Sequence, residues 1–304
     1  YIELIWGLPE ETIESFKSGI IKILDYGYHN YLDIHMMMML PNAPIASKEY
    51  ITKYGIKTTT TQPRFSHRHI ENIMSTDTVE FVTQTNSFTK EDWIEGHQFR
   101  WLIIFAHYLG PLQFISRALK AIYNISYGDF YDNIFSLCKE TNNTFLGKEY
   151  HEIENNLYKI LENKRFWGGI VEGVGNINWN VDEATCIKIA NGNKDRFYSE
   201  VEDFVLSKYP QIEKPVFNQI LSYQRNRLSD PKVSYPFREN YTYNIHDVIE
   251  KGQRLEKKSN IVEFNSKNYN YDIFSWAKEI IWFGRRVGKY RTSATTINTQ
   301  KECK

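Results

Sequence analysis

Ile2-Glu3-Leu4-Ile5-Trp6-Gly7-Leu8-Pro9-Glu10-Glu11-Thr12 opens the chain, and its reading decides the fold. A short apolar run meets a glycine–proline turn that leads straight into an acidic helix start. That is the grammar of a buried strand handing over to its crossover helix. Pro9 suits a first helical position, where its missing N–H has no partner to lose. Glu10 and Glu11 place negative charge at the positive end of the helix dipole. Ile13, Phe16, Ile20, Ile23 and Leu24 then recur at helical spacing, and Gly27 offers a left-handed stop. A second apolar run, from Tyr31 to Leu40, closes on Pro41-Asn42-Ala43-Pro44. Strand, helix and strand at this spacing predict a parallel, right-handed βαβ unit. Ligands of barrels and open α/β sheets meet the carboxyl ends of such strands. Gly7-Leu8-Pro9 and Met39-Leu40-Pro41-Asn42 therefore fall on a functional rim.

These residues resemble a family. Ile5-Trp6-Gly7-Leu8-Pro9-Glu10 resembles the fifth-strand motif of radical S-adenosylmethionine enzymes, Gly-x-Ile-x-Gly-x-x-Glu. Ile5, Gly7 and Glu10 match, and Glu3 stands where the first glycine belongs. Leu40-Pro41-Asn42-Ala43-Pro44-Ile45 resembles that family's Leu-Pro-Gly-Thr-Pro-Leu close of the sixth strand, with Asn42 and Ala43 replacing Gly-Thr. The combination most resembles cobalamin-binding radical S-adenosylmethionine proteins, which carry a helical extension after the barrel. Tyr54-Gly55-Ile56, the Glu80–Thr85 run, Asp92-Trp93 and Trp282-Phe283-Gly284-Arg285-Arg286 fit that extension.

The resemblance implies an α/β start, the last βαβ unit of a partial TIM-type barrel, followed by a mainly α-helical domain. Residues 1–45 would hold barrel strands five and six. Residues 46–88 would form an irregular connector with one short strand, and residues 89–304 the helical extension, with a hinge near 168–175. It also implies an enzyme that cleaves S-adenosylmethionine with a four-iron four-sulfur cluster. The resulting 5'-deoxyadenosyl radical attacks an unactivated carbon, commonly for methyl transfer through cobalamin. Ile5, Gly7, Glu10, Met39 and Leu40 become the cofactor-binding candidates, with Ile5 under the adenine ring and Gly7 admitting close backbone approach. The family's Cys-x3-Cys-x2-Cys loop is not in the sequence. The cluster and cobalamin are therefore expected on a preceding part of a longer protein, and this chain by itself should be inactive. A chain that starts at Tyr1 inside a strand fits that expectation, because an unpaired apolar edge is a form chains avoid.

Lys+Arg and Asp+Glu are both 37, so the formal net charge is zero. That disfavours a basic nucleic-acid surface. The most apolar stretch, Trp101 to Ile115, is broken by His107 and Gly110-Pro111 and is shorter than the about 20 residues a span requires. Association of that stretch with a membrane surface is the alternative it leaves. Cys138, Cys186 and Cys303 are far apart, with no metal spacing, which suits a reducing, cytoplasmic setting.

Along the chain, Thr58–Thr61, Gln62-Pro63 and Asn86-Ser87 interrupt any long period, and Val79–Thr83 reads as a strand. Thr89 caps a helix whose aromatic face carries Trp93, His97, Trp101, Ile104 and Tyr108. Further helices are predicted at 112–122, 129–139, 148–163, 182–190, 194–206, 215–228 and 271–286, with a strand at 260–264. Pro231–Tyr243 reads as loop, and the polar residues from Thr292 onward as disordered.

His67-Arg68-His69, with Glu71, has part of a metal pattern, but metal sites need three or four convergent ligands, so solvated loop histidines are the better reading. His97 and His107 read as buried structural histidines. Met36 to Met39 read as a buried strand, not as metal ligands. Gly168–Gly175 matches neither phosphate-binding fingerprint. Arg285, Arg286, Lys289 and Arg291 beside Trp282 and Phe283 read as a cationic helix end. The expected partners are a small-molecule, lipid or sugar substrate and a reductant, without nucleic acid or a membrane span. A non-catalytic helical binding or scaffold module is the alternative function.

Overall fold

The computed structural model describes residues 2–62, 66–69, 78–164 and 168–297. They fall into two compact units, one of Tyr1–Ile104 with Ile134–Thr185, the other of Phe105–Asn133 with Cys186–Lys304.

The first unit begins with the expected βαβ. Strand β1 (Ile2–Trp6) and strand β2 (Leu32–Met36) run parallel, in register from Ile2↔Leu32 to Trp6↔Met36. Helix α1 (Ile13–Asp25) crosses between them and buries Ile13, Phe16, Ile20 and Leu24. Its start differs from expectation. Pro9, Glu10 and Glu11 precede the helix, and Thr12 is the cap, in a reciprocal box with Ser15. A Thr side chain that satisfies a free N–H outcompetes a proline that merely tolerates the position. Gly27, at φ +79°, follows the last turn as expected.

Residues 46–88 are more regular than the expected connector. Helix α2 (Lys48–Tyr54) ends on left-handed Gly55, where an added Cβ would lie 2.0 Å from the Asn86 side chain. Strands β3 (Lys57–Thr61) and β4 (Val79–Gln84) then pair antiparallel. The threonine run that seemed to interrupt the chain is thus a strand, as its β-branched residues favour. Pro63 lies outside the described residues. The chain after β2 joins this ladder, with Met39 N–H donating to the Glu80 carbonyl at 2.7 Å and Val82 N–H to that of Met37 at 3.0 Å.

Trp6 is fully buried at the centre of this unit. It packs on Phe16 (4.6 Å) and Phe88 (5.1 Å), and its Nε1 donates to the Trp93 carbonyl at 3.3 Å. Trp93 belongs to helix α3 (Lys90–Ile103), capped by Thr89 and Asp92 as expected. Gly96 of α3 faces the indole so closely that a Cβ there would stand 2.4 Å from the ring. Helix α6 (Phe145–Leu161) adds Tyr150, whose hydroxyl donates to Gln98. Helix α5 (Tyr127–Glu140) contributes residues to both units. Gly168–Gly175 folds back as a turn in which Gly169 and Trp179 exchange backbone hydrogen bonds of 2.7 Å. Helix α7 (Val181–Lys188) follows.

The second unit is helical with a small sheet. Helix α9 (Lys214–Asn226) packs with α4 (Gln113–Tyr123), α8 (Lys194–Lys208) and α10 (Ile245–Lys251), and its buried Tyr223 meets Phe114 of α4 and His246 of α10 edge-on. Gln224 of α9 stands in for a cap on α4. Its Oε1 accepts from Phe114 N and Ile115 N, and its Nε2 donates to the Gly110 carbonyl. Strands β5 (Phe237–Tyr241), β6 (Asn260–Asn265) and β7 (Ser293–Ile297) form an antiparallel sheet in that order. Two expectations are corrected here: Pro231–Tyr243 contains β5, and the residues from Thr292 contain β7. Both strands are polar and find their pairing only through β6. Residues 298–304, with Cys303, lie outside the described residues. The expected 271–286 helix is a short turn, α11 (Ile273–Trp276), continued by a π-helical stretch at Ala277–Trp282 and a 3-10 turn at Arg285–Val287.

Every residue from Trp101 to Ile115 is buried, so this stretch is core. Among the described residues no single helix is long and apolar enough to cross a membrane.

Candidate functional site

The carboxyl ends of β1 and β2 carry the candidate rim. Trp6 points inward and is anchored by α3, so the alternate residue Ile5 must point to the opposite face. Ile5 is 42% exposed there. Its registered partner His35 shares that face, and Glu3, one alternate position back, approaches His35 Nε2 at 3.7 Å. Gly7 takes φ +102°, which a side chain would strain, and a Cβ there would already touch Met37 at 3.4 Å. The turn beyond it closes through Glu11 N–H donating to the Leu8 carbonyl, with Glu10 left-handed at φ +70°. A left-handed glutamate is uncommon and stores backbone strain of the kind found at ligand clamps. Glu11 sits half-buried in this turn, and burial raises its carboxyl above the ordinary range, opposed by the Gly7 N–H.

The structure thus brings Ile5, Gly7 and Glu10 together on one strand end. Leu40 lies at the close of the second run, 58% exposed, while Met39 is 7% exposed and turned inward. Regular alternation stops at Met36, where β2 ends, and Met38 instead bridges to Phe81. Leu8, expected on the rim, is 40% exposed there. Met38, read as part of a buried strand, is instead 43% exposed, because β2 ends at Met36.

β2 is held from behind by Arg100 of α3. Its Nε donates to the Ile34 carbonyl, and its other nitrogens stand 3.8 Å from Asp33 and 3.4 Å from Asp182. Burial pushes the Asp182 carboxyl up to about 6, against the pull of Arg100. Next to it, fully buried Glu183 holds His67 Nε2 at 2.6 Å and accepts from Asn180 N–H. His67 is therefore a partly buried residue hydrogen-bonded to Glu183 and not a solvated loop residue, while Arg68 and His69 are exposed. Glu71 lies outside the described residues. Among those described, no group of three or more His, Cys, Asp or Glu is placed to hold a metal ion.

His97 and His107 are buried, as expected. His97 is buried edge-on against Trp93, and burial with nearby Arg100 holds its ring well below the usual range. His107 Nδ1 meets the Tyr131 hydroxyl at 2.7 Å in the core of the second unit. Cys138 and Cys186 are both buried, and burial pushes the Cys138 thiol far up. Arg285 donates to the Trp282 carbonyl, as a cation does at a helix end, and Trp282 stacks on Phe283 at 4.4 Å.

No protein-family model matches the chain. It is 29% identical over 221 residues to the 2-(S-pantetheinyl)-carbapenam-3-carboxylate methyltransferase of Streptantibioticus cattleyicolor, a match covering 67% of this chain and 32% of that protein. It is 26% identical over 217 residues to the cobalamin-dependent radical SAM methyltransferase TokK of Streptomyces tokunonensis, again covering 67% of this chain and 32% of the relative. The chain spans about a third of the length of the curated relatives it matches. The likeness read from Ile5, Gly7, Glu10 and the Leu40-Pro41 close is borne out by these matches. The chain is a relative of the cobalamin-dependent radical S-adenosylmethionine methyltransferases.

Proposed function

We propose that β1, α1 and β2 supply the last two strands of a radical S-adenosylmethionine barrel, and that the remaining residues form its helical extension. In this reading the enzyme is a cobalamin-dependent methyltransferase that uses a 5'-deoxyadenosyl radical at an unactivated carbon. The observation that supports it most is the rim itself. The ends of the parallel strand pair and the residues just after them expose Ile5, Leu8, Met38 and Leu40, and Gly7 among them has a φ of +102° that strains any side chain. An apolar shelf beside bare backbone suits the flat face of an adenine ring. Gly7 and the Glu10 turn fix the shelf, and Arg100 keeps β2 in place behind it.

Among the described residues none fits an iron–sulfur cluster, since Cys138 and Cys186 are buried and neither stands in a ligand group. Cluster, cobalamin and reductant are therefore assigned in this proposal to contacts outside this chain's own residues. In this proposal the substrate is a small molecule, lipid or sugar, a reductant serves the cluster, and the setting is cytoplasmic.

The test is binding of S-adenosylhomocysteine, by equilibrium dialysis, to the intact enzyme carrying this chain. Ile5→Glu places a charge under the ring and is expected to weaken binding at least about tenfold, the scale of one unfavourable polar burial. Equal affinity of wild type and Ile5→Glu would remove the adenine shelf.

A further inference from the structure

Glu3 is the one position at which β1 departs from the family's strand motif, and the structure shows what occupies the space. The family pattern has glycine there. Here a carboxylate reaches across to the neighbouring strand and stands 3.7 Å from His35 Nε2. Both side chains are about half exposed, 48% for Glu3 and 50% for His35. They lie on the ligand-facing side of the strand pair, because Ile5 and His35 are registered neighbours while Trp6 is buried behind them. Registered residues of adjacent strands stand about 4.8 Å apart. A flat ring resting on Ile5 therefore has the imidazole at its edge.

We propose that His35 is a specificity residue for the purine ring and that Glu3 is the positioning residue that orients it. This rests on the reading of Ile5 as the adenine shelf. A carboxylate beside Nε2 favours the proton on that nitrogen, which leaves Nδ1 as the acceptor. An acceptor at the ring edge matches the exocyclic amine of adenine, a donor, and mismatches the carbonyl of a 6-oxopurine. Glycine at position 3 leaves the tautomer unselected, so either nitrogen carries the proton and the preference disappears. Glu3 acts through His35 alone: its alternate position, two residues before Ile5, sets it about 7 Å further from the rim along the strand.

The experiment compares two probes on the intact enzyme carrying this chain: S-adenosylhomocysteine and its deaminated analogue S-inosylhomocysteine. The readout is the ratio of their dissociation constants, which a general loss of structure does not change selectively. Wild type is expected to favour the adenosyl probe by about tenfold, the size of one net hydrogen bond. His35→Ala and Glu3→Gly are expected to bring the ratio close to one, and Glu3→Asp to retain part of it. A wild-type ratio near one, or an undiminished preference in His35→Ala, overturns the proposal. Failure of the wild type to bind either probe instead sinks the adenine-shelf reading, and the assignment of His35 falls with it. Thermal denaturation of each variant separates misfolded samples, and Glu3→Gln, nearly isosteric, is the substitute should Glu3→Gly fail to fold.

Discussion

Trp6 and Gly96 form the contact on which the first unit closes, and they give the sharpest prediction at the residue scale. An added methyl at Gly96 has no room beside the indole, so Gly96→Ala should destabilise by about 1–3 kcal/mol, the cost of overpacking. Urea denaturation of Gly96→Ala alone and together with Trp6→Phe checks it; the smaller ring should recover part of the loss. No change in the single variant contradicts the packing described. Asp182 supplies a pH dependence. Its pKa is raised by burial to about 6 from an ordinary 3.8, so protonation favours the folded state. Its stabilising contribution is complete below about pH 4 and is lost as pH rises through about 6. Asp182→Asn should therefore flatten the fall in stability between pH 4 and 6.5, measured as urea midpoints at each pH. Identical slopes in wild type and variant would remove the assignment. Neither contact was legible in the sequence. Gly96 looked like any helical glycine, and Asp182 like an acidic residue at a helix start, because both depend on partners 90 and 82 residues away.

At the scale of elements, the reading succeeded where local chemistry decides and failed where partners do. Thr89 announced α3 and the apolar stripe announced α1, since capping and periodicity are written locally. The α1 start was misplaced because three weak signals, Pro9, Glu10 and Glu11, were preferred to one satisfied cap. Thr12→Ala is accordingly expected to cost about 0.5–2 kcal/mol, whereas Pro9→Ala should leave helix stability nearly unchanged. Denaturation of the two variants side by side distinguishes the cap from the proline, and a larger effect at Pro9 would restore the earlier start. β5 and β7 escaped notice because Phe237–Tyr241 and Ser293–Ile297 lack a clean alternation and become strands through β6. α4 depends likewise on a distant residue: Gln224→Ala removes acceptors from two buried N–H groups and should cost about 1–3 kcal/mol. Gln224→Glu keeps the acceptor but loses the donor to the Gly110 carbonyl and buries a carboxylate, so it should not rescue the loss when the two variants are compared by urea denaturation.

At the scale of the whole molecule, the candidate site sits on one parallel strand pair, β1 and β2. The residues named from the motif did not all reach the surface: Ile5, Gly7 and Leu40 stand on the rim, whereas Met39 is turned into the core by its hydrogen bond to Glu80. Motif spacing located the rim, but which side chains face outward was set by where β2 stops and by its bridge to β4. The relatives are matched over about a third of their length. The most direct test is therefore turnover. The intact enzyme carrying this chain is loaded with cluster and cobalamin, reduced, and given S-adenosylmethionine with a labelled methyl group, and 5'-deoxyadenosine is quantified by mass spectrometry. The account predicts 5'-deoxyadenosine from the wild type and a fall of at least about tenfold in Gly7→Val, whose side chain enters strained, occupied space, with the loaded cluster unchanged. Wild-type turnover with undiminished 5'-deoxyadenosine from a folded Gly7→Val enzyme, or none from a fully loaded wild type, would contradict it.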